Sequence, residues 1–107
     1  MQTLTVVARL FPQILSGEKR ATIRWKEAPI TVGPMLYVCA GDLSKRAVVE
    51  VVRVTDMPLS QAAAYLGRED EWPKPVMLAG MREHYPQIGW DDMVQVIEHI
   101  PMNEGER

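Results

Sequence analysis

Gly17-Glu18-Lys19-Arg20-Ala21-Thr22-Ile23-Arg24-Trp25-Lys26 is the most informative stretch of the chain. From Ala21 onward it alternates with period two, placing Ala21, Ile23 and Trp25 on one face and Arg20, Thr22, Arg24 and Lys26 on the other. Such alternation predicts a half-buried strand whose apolar face joins a core while the opposite face gathers cations around one hydroxyl. Gly17 sets a turn before it, where the missing side chain lets the backbone approach a ligand closely. Upstream, Pro12-Gln13-Ile14-Leu15-Ser16 reads as a helical turn, with proline suited to its first position and Gly17 to its stop.

Working outward, Thr3–Ala8 is β-branched and apolar enough for a first strand, and Met35–Ala40 for another. Gly41-Asp42 with Ser44-Lys45 predicts a hairpin-like connection into Arg46–Thr55. That segment holds Val48, Val49, Val51, Val52 and Val54, a density that predicts partial cover on both faces, as in a closed or curled sheet. Ser60 is placed to N-cap a short helix through Leu66, with Gly67 as its stop. Pro75 opens a further helix carrying Leu78, Met81 and Tyr85 on one stripe, and Pro86 and Gly89 end it. Met93–Ile100 reads as the closing strand. The pattern predicts an α+β fold: one domain over residues 1–100, a small mixed β-barrel of about five strands with two or three short helices. Residues 101–107 carry no core residue beyond Met102 and are expected to form a flexible tail.

Composition narrows the function classes. The chain has 107 residues, 47% of them hydrophobic, enough for one core. No apolar run approaches the ~20 residues that span a bilayer, and the first residues lack the pattern of a secretory signal. Cys39 is the only cysteine, which excludes an intrachain disulfide and a multi-cysteine metal site. A cytoplasmic location is the resulting expectation. The net charge of −2 is unevenly spread: residues 1–53 carry eight Lys/Arg against four acids, and residues 54–107 four against ten. This balance disfavours sequence-blind adhesion to a long polyanion, whose strength grows with the number of phosphates neutralised. It leaves room for one nucleotide or a short strand at a local basic site.

Phosphate-loop, dinucleotide and His-Glu-x-x-His signatures are absent, as is a Gly-x-Ser-x-Gly elbow. Cys39 sits in a predicted strand and reads as a buried, inert thiol rather than a nucleophile paired with His84 or His99. The two histidines alone do not make a metal site. The basic stretch offers more. Lys19 follows the glycine turn, and Thr22 and Arg24 share a strand face about 6–7 Å apart. Arginine presents a planar fork to a carboxylate, phosphate or base edge. A threonine hydroxyl becomes a nucleophile only when a base or a cation activates it. A solvated basic face would have the same composition.

Ile14-Leu15-Ser16-Gly17-Glu18-Lys19-Arg20-Ala21-Thr22-Ile23-Arg24 resembles the N-terminal signature of ASCH domains: an apolar pair, a small residue, Gly-x-Lys and then Thr-x-Arg. The likeness continues through Val32-Gly33, the valine-rich strand, the helix ending in Tyr85-Pro86 and the closing strand, covering most of the chain. The resemblance implies a PUA-like β-barrel with a basic cleft beside it that binds RNA or a modified nucleoside. Gly17, Arg20 and Arg24 are the ligand-binding candidates there, and Trp72, at the acidic loop, either packs in the fold or stacks on a base. A small bacterial branch of the family deacylates 4-acetylcytidine without a metal or other cofactor. By similarity to that branch Lys19 and Thr22 match a catalytic lysine and threonine, and Asp70 is the positional match to its acid. The branch has a glutamate there, and Glu69 or Glu71 could take that place. In such a site Lys19 would accept the Thr22 proton, Thr22 would attack the amide carbonyl, and the acid would protonate the leaving amine. The resemblance implies no membrane partner and leaves the oligomeric state open.

Overall fold

A computed structural model describes residues 1–102; residues 103–107, most of the expected tail, lie outside it. Five strands form one mixed sheet in the order β1-β3-β4-β5-β2: β1 (Gln2–Val6), β2 (Ala21–Arg24), β3 (Gly33–Cys39), β4 (Asp42–Pro58) and β5 (Met93–Pro101). β1 runs parallel to β3 with Leu4 opposite Tyr37, and β3 runs antiparallel to β4 with Met35 opposite Val49. A register shift at Val38/Cys39 brings Cys39 opposite Asp42. Three short helices complete the described elements, α1 (Phe11–Ser16), α2 (Leu59–Tyr65) and α3 (Lys74–His84), with a 3-10 turn at Ala8–Leu10 ahead of α1. The α+β class, the strand number and the helices are those the sequence predicts.

The chain gathers into two compact units, and β2, β4 and β5 contribute residues to both. The first comprises, among the described residues, 1–22, 29–54 and 97–102. Its core holds Leu4, Val6, Phe11, Ile14, Met35, Tyr37, Cys39, Val49, Val51 and Ile97. The second comprises 23–28 and 55–96, and its core is built from Met57, Leu59, Ala62, Met77, Ile88, Val94 and Val96. Ile23 and Trp25 pack against this second core, as their parity in the sequence requires.

The valine-rich strand is partly covered on both faces, but unequally: Val49 and Val51 are buried and Val54 packs against the first core, whereas Val48 and Val52 are 39% and 48% exposed. Valine density reports strand propensity, and the alternation within it decides which side is buried. Ser60 does not cap α2, which begins one residue earlier after Pro58 and has no side-chain cap. The backbone of the loop that leads into β5 does that work instead, since Leu59 N–H donates to Asp92 O (2.9 Å) and Ser60 N–H to Trp90 O (2.8 Å). These bonds satisfy two of the donors that open every helix. β5 extends to Pro101, so the first residue of the expected tail belongs to the sheet.

Candidate functional site

The glycine turn is built as the sequence predicts and is held more tightly than a turn alone requires. Gly17 ends α1 in the left-handed region at φ 84°. A methyl group there would meet the Pro101 ring at 3.0 Å, so both conformation and space call for glycine. The chain then folds back: Lys19 N–H reaches Gln13 O at 3.0 Å, and Glu18 N–H reaches Ser16 Oγ at 3.3 Å. The two cations are also tied to backbone oxygens. Arg20 Nε donates to Gly17 O (2.9 Å), and Lys19 Nζ donates to Ala21 O (2.6 Å). From β5, His99 N–H donates to Arg20 O at 2.9 Å. The loop is therefore ordered by its own backbone, which holds both the ammonium and the guanidinium in place.

Behind the loop lies a group that sequence reasoning undervalued. His99 is 2% exposed, and its Nε2 lies 2.8 Å from the hydroxyl of Tyr37, itself fully buried, with the rings edge-on at 5.2 Å. Burial, together with the nearby charges of Lys19 and Arg20, pushes the His99 pKa down to about 4. The imidazole is thus neutral in the ordinary pH range. Cys39 is buried and donates weakly to Ala40 O, consistent with an inert thiol.

Thr22 follows on β2 and is only 6% exposed, buried on a face whose neighbours are the exposed Arg20 and the part-buried Arg24. In the second unit the strand continues into Arg24, whose Nη1 lies 3.6 Å from Glu27 Oε2. Tyr85 donates its hydroxyl to that same carboxylate oxygen, and its ring meets the Trp25 indole edge-on at 6.0 Å. Burial, and then the bond to Glu27, raise the Tyr85 pKa to about 12. Lys26 turns the chain between them at φ 55°, in the left-handed region, with Nζ 4.5 Å from the Trp25 ring centroid. Glu27 and Tyr85 escaped the sequence reading. Only the opposite charges of Arg24 and Glu27, three residues apart, hinted at the first, and nothing local hinted at the second.

Glu69, Asp70 and Glu71 lie in the second unit, between α2 and α3. Glu71 is engaged by Arg68 at 2.9 Å, and the same guanidinium lies 5.1 Å from the Trp72 ring centroid. Trp72 also packs against the second core. The structure thus brings Gly17, Lys19, Arg20 and Thr22 together in one unit, and Arg24, Glu27 and Tyr85 in the other. Among the described residues no cluster of three or more His, Cys, Asp or Glu is arranged to hold a metal, and no helix is long and apolar enough to cross a membrane.

No family model matches the sequence, and no curated protein matches it. Solved structures do. The crystal structure of ASCH from Zymomonas mobilis superposes with a TM-score of 0.65 at 10% identity, over 91% of this chain and 64% of that one. A point mutant of the same Zymomonas mobilis protein gives 0.68 at 9% identity, covering 92% and 67%. A DUF984 protein from Enterococcus faecalis V583 gives 0.61 at 16% identity, covering 92% and 72%. The chain spans about two thirds of the length of the Zymomonas protein. At these identities the likeness establishes the fold, which is ASCH-like.

Proposed function

We propose that this chain, whose fold is that of ASCH domains, recognises RNA or a modified nucleoside through β2 and the basic loop that leads into it. One observation carries the reading: Lys19 and Arg20 are both fixed by backbone carbonyls of their own loop, Ala21 O and Gly17 O. Long cationic side chains on a merely solvated face have no reason to be held so, because ordering each costs up to about 2 kcal/mol of rotamer entropy. A ligand rich in acceptors, such as a nucleoside or a short strand, repays that ordering. Gly17, Lys19, Arg20 and Arg24 are the binding residues in this reading, with Trp72 as a candidate stacking surface. The test is titration with 4-acetylcytidine, cytidine and a short oligonucleotide at two salt concentrations. Binding weakened at least ten-fold by Lys19→Ala and by Arg24→Ala supports the reading; binding unchanged in both variants overturns it.

A second reading is favoured by the position of Lys19. Its Nζ rests on the carbonyl of Ala21, one residue before the buried hydroxyl of Thr22. In this reading the chain is a metal-independent amidohydrolase acting on 4-acetylcytidine-type nucleosides. Lys19, in its amine form, takes the proton of Thr22 as the threonine oxygen attacks the acetyl carbonyl. The carbon–nitrogen bond then breaks, and the amine leaves with a proton from an acid of Glu69–Glu71, Asp70 foremost. Water cleaves the resulting threonine ester to acetate and regenerates the hydroxyl. Chromatography for released cytidine tests it directly. Turnover lost in Lys19→Ala, Thr22→Ala and Asp70→Asn supports hydrolysis, and no turnover by the unaltered protein rules it out.

A further inference from the structure

Arg24, Glu27 and Tyr85 form one polar group, braced by the Trp25 ring. An arginine on a ligand-binding strand ordinarily favours anions. Here its guanidinium, 13% exposed, shares its nearest surroundings with the carboxylate of Glu27, 33% exposed and 3.6 Å away. That carboxylate is not an incidental surface neighbour. Tyr85 donates to the same oxygen, Oε2, and Trp25 braces the tyrosine ring. Lys26 adopts a left-handed backbone conformation at φ 55°, in the bend between Arg24 and Glu27. A non-glycine residue in that region costs on the order of 1 kcal/mol, and such outliers are found where a local geometry serves a site.

From this arrangement we propose that Glu27 is a specificity-determining residue: it makes the Arg24 position a reader of an uncharged donor–acceptor edge, such as an amide or a pyrimidine base, and excludes phosphate. The inference rests on the nucleoside reading above and sharpens it. A carbonyl oxygen facing Arg24 and an N–H facing Glu27 are each met by a complementary partner. A phosphate at the same place is met by the carboxylate, and the field of the guanidinium is largely cancelled before the anion reaches it. Tyr85 acts through Glu27, as a positioning residue that holds the carboxylate beside the guanidinium.

Heteronuclear NMR titration with cytidine, cytidine 5′-monophosphate and inorganic phosphate tests this on the unaltered chain and on Glu27→Gln. The glutamine keeps the shape and a carbonyl for Tyr85 to bond while removing the charge. The unaltered protein is expected to prefer cytidine over its monophosphate, and Glu27→Gln to lose about five-fold of that preference and to gain phosphate affinity by a similar factor, as one unit charge at ~4 Å in water implies. Tyr85→Phe should move both quantities in the same direction by less. If cytidine binds but Glu27→Gln changes neither the preference nor the phosphate affinity, the selective role of Glu27 falls and the nucleoside reading stands. If neither nucleoside ligand binds while Glu27→Gln still gains phosphate affinity, the charge device stands and the nucleoside reading falls. If no probe binds either protein, both fall.

Discussion

The hydroxyl of Tyr37 and Nε2 of His99 lie 2.8 Å apart in the buried interior of the first unit. The two residues are 62 positions apart in the sequence, yet the pair sits directly behind the Lys19–Arg20 loop, whose charges it feels.

Stability should therefore depend on the charge of His99. Its folded pKa of about 4 is below the usual value of 6.5, so the unfolded chain binds more protons between those two pH values. The contribution is fully present above pH ~6.5 and is lost as the pH falls through ~4, by as much as ~3 kcal/mol. Urea unfolding from pH 7 to pH 4 should show this loss. His99→Gln should flatten the dependence over that window; an equally steep curve in the variant would show that other groups carry it.

Removing the partner hydroxyl has a separate effect. Tyr37→Phe keeps the ring packing but leaves a buried imidazole nitrogen without its bond, and should cost about 1–3 kcal/mol at neutral pH. Equilibrium denaturation gives the number directly.

Tyr85 should ionise later than an ordinary tyrosine. With its pKa raised to about 12, the folded state favours the neutral phenol. Its contribution is present below pH ~10 and is lost as the pH rises through ~12. Absorbance at the phenolate band should show a late-ionising component that Tyr85→Phe removes.

The alternation along β4 predicts opposite responses from neighbouring valines. Val51→Ala should cost about 2 kcal/mol, since it removes buried methyl groups and leaves a void. Val52→Thr, on the exposed side, should stay within ~0.5 kcal/mol of the unaltered protein. Thermal unfolding of the two variants distinguishes this arrangement from a strand covered equally on both faces.

Gly17→Ala should destabilise the loop by about 1–2 kcal/mol from backbone strain alone, with the contact to Pro101 adding to it. Tm and ligand affinity should fall together, because the conformation that glycine permits also sets the approach of Lys19 and Arg20.

What the sequence makes legible is what has a local cause. Period-two alternation in Ala21–Lys26 sent Ile23 and Trp25 to a core, and Gly17 between a short helix and a strand announced a left-handed stop. The pairing of Tyr37 with His99, and of Tyr85 with Glu27, has no local cause and leaves no short-range trace. The cap of α2 failed as a prediction for a related reason: its donors are satisfied by carbonyls of Trp90 and Asp92, thirty residues downstream. The signature loop was visible as a set of residue types, but the bonds that hold its cations to Gly17 and Ala21 required the fold.

The Gly17–Arg20 turn is finished by His99 and Pro101, about eighty positions later, a separation that makes it a late and entropically expensive closure during folding. A nascent chain emerging from a ribosome would carry its basic signature exposed and unformed until β5 was free to pair. The geometry of this loop is thereby reserved for molecules whose synthesis has run through the final strand, and a prematurely terminated product ending before it would display the same residues without their arrangement.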